Sequence, residues 1–206
     1  MRGWRSRLVA IALVVAAADV GAATVREEAG AIIYADDGGR ETRLVSEGHD
    51  SQPVLSPDGH TVVFVREVTD GVTEIWSWRG DGDVPQRLLA TRPDTLAHRN
   101  LEGFNTLLFS ADGASLYFLS RAWAVSDALY VLDLASGHER FVIDANDVRL
   151  GPPTSGRRTL IVQRHRYPNR GGGAIDDYWL VTDSGKILRH IGDEAAVDRL
   201  LARKAR

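Results

Sequence analysis

The stretch Pro53-Val54-Leu55-Ser56-Pro57-Asp58-Gly59-His60-Thr61-Val62-Val63-Phe64-Val65 consists of two short apolar runs on either side of a tight turn. The pattern returns 54 residues later, where Ser110-Ala111-Asp112-Gly113 separates two further apolar runs. In such a turn the aspartate caps backbone amides and the glycine takes a positive φ at low cost. Asp-Gly between apolar runs is a strong hairpin signal, so both stretches predict a β-hairpin.

The hairpins belong to a longer repeat. A weaker third copy at 151–162 keeps the glycine and the following apolar run but loses the aspartate. A second hairpin follows each copy, with strands predicted at 73–78 and 86–89, at 128–133 and 139–143, and at 178–181 and 186–191. Four strands per unit, at spacings of 54 and 43 residues, are typical of propeller blades.

A shorter fragment precedes the three units. Its two strands, at 31–35 and 42–45, are interpreted as the outer hairpin of a blade whose inner strands are missing. The sequence therefore predicts an all-β fold: a β-propeller-like stack of about three and a half four-stranded blades, or fourteen strands, over residues 24–192. Residues 193–206 are predicted to form a short C-terminal helix, with Asp193 as N-cap and Val197, Leu200 and Leu201 on one face.

The Ser56-Pro57-Asp58-Gly59 turn, together with Pro53 and Phe64, resembles the Pro-Asp-type repeat of TolB-like β-propellers. The resemblance covers residues 31–191 and implies the blade type, which occurs in proteins with unrelated activities. Together with the export signal described below, it leads us to expect a periplasmic protein with a protein partner in the cell envelope. The N-terminal α/β domain and the remaining blades of TolB are not recognisable in this sequence. We therefore expect that the ring closes with four blades, stays open, or is completed by a second copy in a homodimer.

Residues 1–23 have the features of a signal peptide. Three arginines precede the apolar run 8–18, and the small residues at 20–23 offer a cleavage site. A run of eleven residues is too short to span a bilayer core, which needs about 20 residues. The sequence thus predicts export to the periplasm or beyond, with no membrane span after cleavage. The chain contains no cysteine, so neither a disulfide nor a lipid anchor is expected.

Charge and motifs exclude several functions. Residues 24–206 contain 22 lysines and arginines against 27 aspartates and glutamates, and a nucleic-acid or anionic-membrane surface needs a basic footprint instead. The sequence has no His-Glu-x-x-His or calcium-loop pattern and no Gly-x-Ser-x-Gly elbow. We therefore predict no metal, no cofactor and no catalytic residue.

A polar ligand site is predicted where the inner strands begin, because propellers bind ligands near the ring axis. The aligned segments before the three inner strands all carry polar side chains, which would converge as a funnel. Solvated loop residues are the more common explanation of such side chains, because loops are generally polar. We call these residues the inner-strand row: His49, Asp50, Gln52, Asn105, Thr106, Asn146, Asp147 and Arg149.

Two functions follow from these observations. The first is a non-enzymatic module that binds a protein or a ligand. The alternative is a propeller-type enzyme, a glycan lyase or a peptide hydrolase, that uses the Asp, His and Arg side chains of the inner-strand row. The tryptophans Trp76, Trp78, Trp123 and Trp179 are interpreted as core residues that pack between blades.

Overall fold

The computed structural model of the chain describes residues 22–44, 49–80, 84–166 and 175–202. In these ranges the chain forms fifteen strands in four antiparallel sheets, followed by one α-helix. The predicted all-β class, the four-stranded units and the short C-terminal helix are confirmed. Residues 1–21, which contain most of the predicted signal peptide, lie outside the described residues, and so do the last four residues.

Each sheet is a meander in which consecutive strands pair. The strands are β1 Thr24–Glu28, β2 Ala31–Ala35 and β3 Glu41–Leu44 in the first sheet; β4 His49–Leu55, β5 Thr61–Thr69, β6 Val72–Arg79 and β7 Gln86–Leu89 in the second; β8 Asn105–Phe109, β9 Ser115–Arg121, β10 Asp127–Asp133 and β11 Glu139–Ala145 in the third; β12 Asp147–Leu150, β13 Thr159–Arg166, β14 Ile175–Thr182 and β15 Ile187–Gly192 in the fourth. The helix α1 spans Glu194–Ala202.

The first sheet has one strand more than predicted. Strand β1, with the sequence TVREE, pairs along its whole length with β2 through a tight turn at Ala29 and Gly30. Three of its five residues are charged, so it carries little apolar signal in the sequence. Ala23, just before β1, lies beside Gly59, which follows the end of β4, and Glu27 near the end of β1 accepts a hydrogen bond from the backbone amide of Gln52 within β4. Strand β1 therefore packs beside β4 and runs antiparallel to it.

The Ser-x-Asp-Gly turns form as the sequence predicts. The Ser56 amide donates to the Thr61 carbonyl at 2.8 Å, the Ser56 hydroxyl donates to Asp58 at 2.5 Å, and Gly59 has a φ of +78°. The turn at Ser110 repeats these contacts, whereas in the fourth sheet Gly151 takes the place of the serine and bonds to Thr159. The third turn is longer, because eight positions separate Gly151 from Thr159 and only five separate Ser56 from Thr61.

The hydrophobic core lies between successive sheets. One cluster joins the first and second sheets around Ile32 and Phe64, the largest joins the second and third around Val63 and Phe118, and another joins the third and fourth around Leu129. Each inner sheet is therefore buried on both faces. This burial is why the second strand of each unit reads as an unbroken apolar run.

The two ends of the series are covered in different ways. Helix α1 places Val197, which is fully buried, on the outer face of the fourth sheet against Ile161 and Tyr178. On the outer face of the first sheet, Arg26 pairs with Glu41 at 2.8 Å and lies across Ile33, its neighbour on β2. In the described ranges no apolar cluster joins the fourth sheet to the first.

Candidate functional site

The inner-strand row lies within the inner strands and not in loops before them. His49, Asp50 and Gln52 are in β4, Asn105 and Thr106 are in β8, and Asp147 and Arg149 are in β12; Asn146 alone precedes its strand. The sequence interpretation placed these residues before the strands because the apolar runs begin later. Position in a strand gives each side chain a fixed direction, which a solvated loop does not.

A repeated bulge brings Gln52 and Thr106 together. Both residues have a φ of +52°, and each lies where its strand loses register with its neighbour. The Gln52 side-chain oxygen accepts a hydrogen bond from the Thr106 amide at 2.9 Å, and the Gln52 amide donates to Glu27 at 3.2 Å. One hydrogen bond thus links β1 to β4 and another links β4 to β8, so the innermost strands of the first three sheets are connected in sequence. The sequence carries no sign of this bulge, because glutamine and threonine are not typical of left-handed backbone.

Asp50 is sealed inside the fold. Its carboxylate has no exposed surface and accepts two hydrogen bonds from Arg66, at 2.7 and 2.9 Å. The guanidinium of Arg66 lies 4.4 Å from the centre of the Trp76 ring. A carboxylate that is fully buried and bonded in this way supports the inner end of the second sheet and offers nothing to a ligand.

The remaining residues of the row are divided among three places. Asn105 donates to the Asp127 side chain at 3.1 Å, and Asn146 accepts from the Asp127 amide at 3.2 Å, so these two meet around one aspartate of β10. His49 is exposed beside Gly30. Arg149, which also bonds to Asp147, is turned toward the helix, where it pairs with Glu194.

Arg149 is therefore part of the helix attachment. Hydrogen bonding to Glu194 raises the pKa of Arg149, and the same contact lowers the pKa of Glu194. Burial, followed by a hydrogen bond to Glu194, raises the pKa of Tyr178 to about 12. These groups keep their ordinary charge at neutral pH, which favours a structural role over proton transfer.

Three adjoining cavities lie at the opposite end of the sheets, where β4 meets β5 and β8 meets β9. A cavity of about 380 Å³ between the first and second sheets is lined by Tyr34, Asp37, His60 and Arg79. Arg79 also lines the next cavity, of about 300 Å³, whose apolar side consists of Trp78, Val84, Leu88 and Leu134. We call the three cavities together the turn-end groove.

The third cavity of the groove, of about 310 Å³, lies between the Ser56–Gly59 and Ser110–Gly113 turns. It shares Thr61, Gly113 and Leu134 with the second cavity, so the two are continuous. Hydrogen bonds from Ser56 and from the His60 amide lower the pKa of Asp58, and those from Ser110 and Ala114 lower that of Asp112. Both carboxylates are thus ionised at neutral pH.

Sequence reasoning missed this groove. Its turns were recognised, but their aspartates were assigned only to turn formation. A cavity depends on how far apart two sheets stand, and no local pattern encodes that distance. The one usable signal is the repeat itself, because it places equivalent turns side by side.

The tryptophans do not all behave as predicted. Trp78 is buried and packs edge-on against Tyr34 of the first sheet, with ring centres 5.3 Å apart, which confirms its place between blades. Trp76 is half-buried in the same cluster, and Trp179 packs against the cluster between the third and fourth sheets. Trp123 is a correction: it lies in the β9–β10 turn with 42% of its surface exposed, because a hairpin tip reaches beyond both neighbouring sheets.

Neither a membrane-spanning helix nor a metal-binding cluster occurs in the described ranges of the chain. No helix in these ranges is long and apolar enough to cross a bilayer. In the same ranges no group of three or more histidine, aspartate or glutamate side chains is arranged to hold a metal ion.

Comparison with known proteins gives a fold and no sequence family. No family model matches the chain, and no curated protein matches it. Among solved structures, TolB from Acinetobacter baumannii is 16% identical with a TM-score of 0.57, over 84% of this chain and 40% of its own. A putative TolB from Agrobacterium tumefaciens is 17% identical with a TM-score of 0.58, over 84% of this chain and 58% of its own.

The third comparison is with the β-propeller domain of the Trilobed protease from Pyrococcus furiosus. It is 13% identical with a TM-score of 0.54, over 83% of this chain and 53% of that one. The chain thus spans about 40 to 58% of the length of these three structures. The likeness confirms what the repeats predicted, that this chain has the β-propeller fold seen in TolB and in peptidase propellers.

Proposed function

We propose that this protein is an exported, non-enzymatic binding module that holds a segment of another protein in the turn-end groove. The observation that supports it best is the groove itself. Three adjoining cavities cross the first three sheets and combine apolar side chains with ionised carboxylates. Such a mixture of apolar surface and a few charges is typical of sites that bind peptides and proteins.

The enzymatic alternative has weaker support. General acid–base catalysis is most efficient when the pKa of the catalytic group lies near the working pH. The pKa values of Asp58 and Asp112 are shifted in the opposite direction, and Asp50 is buried in an ion pair. An ionised carboxylate beside an apolar wall is suited to holding a cationic group and not to moving a proton.

Site-specific photo-crosslinking tests where a partner binds. Val84 is 80% exposed and lines the groove, so a photoreactive residue there should capture a partner in the cell envelope. The matched control is Ile187, which is also exposed but lies on the outer strand β15. A third position, His49, reports on the inner-strand row.

The outcomes separate the alternatives. Adducts at position 84, absent at 187, support the proposal if the captured protein keeps its full mass and so has not been cleaved. Adducts at 49 alone would assign binding to the inner-strand row. Cleaved or chemically altered adducts would assign an enzymatic function.

Export is tested by fractionation. We expect the protein in the periplasmic or extracellular fraction, with an N-terminus at residue 23 or 24 by intact mass. A chain that keeps residues 1–23 and stays with the cytoplasm would contradict this part of the proposal.

A further inference from the structure

Arg158 shows how a guanidinium fits against one of the repeated turns. It lies in the turn of the fourth sheet, and its Nη1 approaches Asp112 Oδ1 at 3.4 Å and Ser115 Oγ at 3.4 Å, both in the third sheet. Asp183, in the fourth sheet's own β14–β15 turn, lies 3.5 Å from the Nε of Arg158 and helps to orient the guanidinium toward the third sheet. Between the third and fourth sheets the chain thus supplies its own cation to the turn.

Between the second and third sheets no arginine stands at the equivalent position, although Arg79 of β6 lies near enough to contribute to the lowered pKa of Asp58. The turn hydrogen bonds from Ser56 to Thr61, from Ser110 to Ser115 and from Gly151 to Thr159 define equivalent positions. By this register Asp112 and Ser115 correspond to Asp58 and Thr61, and both of these line the third cavity of the groove. The position of Arg158 is occupied in the third sheet by Ala114, whose side chain is a methyl group.

The surroundings of Asp58 define the rest of the ligand. Pro57, Phe109 and Leu134 form an apolar wall in the same cavity, and Leu134 continues into the cavity of Trp78 and Leu88. Asp58 is exposed, so it is free to meet an incoming side chain. The excess of acidic over basic residues in 24–206 also favours the approach of a basic segment.

We propose that the turn-end groove binds an extended peptide segment in which an arginine stands next to an apolar residue. The guanidinium lies against Asp58 and Thr61 as Arg158 lies against Asp112 and Ser115, and the apolar side chain enters the adjoining cavity. The inference rests on the proposed function and names the chemistry of its partner.

Calorimetric titration of residues 24–206 with two blocked heptapeptides tests the proposal. The first is Gly-Gly-Leu-Arg-Leu-Gly-Gly; the second replaces the arginine with citrulline, which keeps the shape and removes the charge. An exposed ion pair contributes little to the free energy of binding. We therefore expect the arginine peptide to bind only about fivefold more tightly than the citrulline peptide at low salt. The ratio should fall toward one in about 1 M salt, where screening is strong.

Two variants should abolish the preference for arginine. Asp58→Asn removes the charge but still accepts the hydrogen bond from Ser56. Ala114→Arg places an arginine where the fourth sheet has Arg158. The new side chain should pair with Asp58 and so compete with the arginine of the peptide. The matched control is Asp133→Asn, a turn aspartate that is bonded to Ser136 and lies outside the groove, and it should keep the preference.

Each result decides a different question. Equal binding of both peptides by the native chain, binding of neither, or a preference that survives in both groove variants would overturn the inference. Crosslinks at position 84 without a preference for arginine would overturn it while leaving the proposed function standing. Thermal melting of each variant shows that a lost preference does not arise from unfolding.

Discussion

At the scale of single residues, the buried pair of Asp50 and Arg66 shows how a candidate ligand residue becomes a structural one. The carboxylate is fully buried and the arginine side chain is 12% exposed, with both hydrogen bonds well formed. Taking two charges out of water is costly, and the cost is offset only while both partners are present. The sequence shows the aspartate beside a histidine, but it does not show the arginine that faces it across the sheet.

We expect Asp50→Ala to lower the free energy of unfolding by about 3 kcal/mol or more, because it leaves Arg66 buried without its partner. Urea denaturation measures the change. Asp70→Ala, at an exposed turn of the same sheet, should change stability by less than about 0.5 kcal/mol. The double variant Asp50→Ala with Arg66→Met should recover part of the loss, and equal losses at positions 50 and 70 would contradict the buried-pair account.

Gly185 and Gly137 illustrate two different reasons why a position requires glycine, namely a positive φ and a close approach of another strand. Both have positive φ, +84° and +70°, but a Cβ on Gly185 would lie 2.1 Å from the Val142 carbonyl oxygen, whereas Gly137 has open space. Gly137→Ala should therefore cost about 1 to 2 kcal/mol from its backbone conformation alone. Gly185→Ala adds a clash between the third and fourth sheets, for a total of about 3 kcal/mol or more.

Chemical denaturation of both glycine variants checks this difference. If the two substitutions cost the same, the third and fourth sheets do not meet at Gly185 as closely as described.

At the scale of elements, the Ser-x-Asp-Gly turns join strands and also carry charge. Each aspartate accepts a serine hydroxyl and a backbone amide, which closes the hairpin. These hydrogen bonds also lower the pKa of the carboxyl groups, since they favour the ionised form. The elements that shape the fold thus supply ionised groups to the groove.

The turns make stability depend on pH in acid. The pKa of Asp58 and of Asp112 is lower in the folded chain than the ordinary value of about 4, so the unfolded chain binds protons more readily. Their contribution is complete above that ordinary value and is lost as the pH falls through the lower, folded-state pKa. We expect the urea midpoint to fall between about pH 5 and pH 2.

The double variant Ser56→Ala with Ser110→Ala is the control for this pH dependence. It removes the largest cause of both shifts, so its midpoint should be lower at pH 7 and should fall less on acidification. If the urea midpoint of this variant falls as steeply with pH as that of the native chain, other carboxyl groups dominate the pH dependence of stability.

At the scale of the whole molecule, the end faces determine whether the series of sheets can stand alone. An open repeat array needs ends that do not expose its apolar core. The outer face of the first sheet carries the Arg26–Glu41 pair, and α1 covers the fourth sheet through Val197. These features favour the open form over a ring completed by a second copy.

We therefore expect residues 24–206 to be monomeric by light scattering over a wide range of concentration. Val197→Asp should detach α1 and expose Ile161 and Tyr178, which promotes self-association. Ala195→Asp, at an exposed position of the same helix, is the matched control and should stay monomeric. A stable dimer of the native chain would contradict the account in which Arg26, Glu41 and α1 cover the two end faces. A monomeric Val197→Asp variant with unchanged helix content would contradict the proposed role of α1.

Much of the architecture follows from local patterns. The Asp-Gly turns and the apolar runs of β5, β9 and β13 predict hairpins in regular units, because both signals act over a few residues. Strand β1 was missed because its TVREE sequence forms a strand only through its pairing with β2. The bulges at Gln52 and Thr106 were missed for a similar reason, since neither residue type favours the backbone that it adopts.

The sequence by itself determined that this chain is a β-repeat protein, where its Ser-x-Asp-Gly turns lie and which of its turns carry aspartate. Only the tertiary structure decided that Asp50 is buried, that Arg149 binds the helix, and that Asp58 lines a cavity while Asp112 already has Arg158 beside it. The physical reason is distance along the chain: a turn depends on four neighbouring residues, whereas Asp112 and Arg158 are 46 residues apart. A contact of that kind exists only after the sheets have packed.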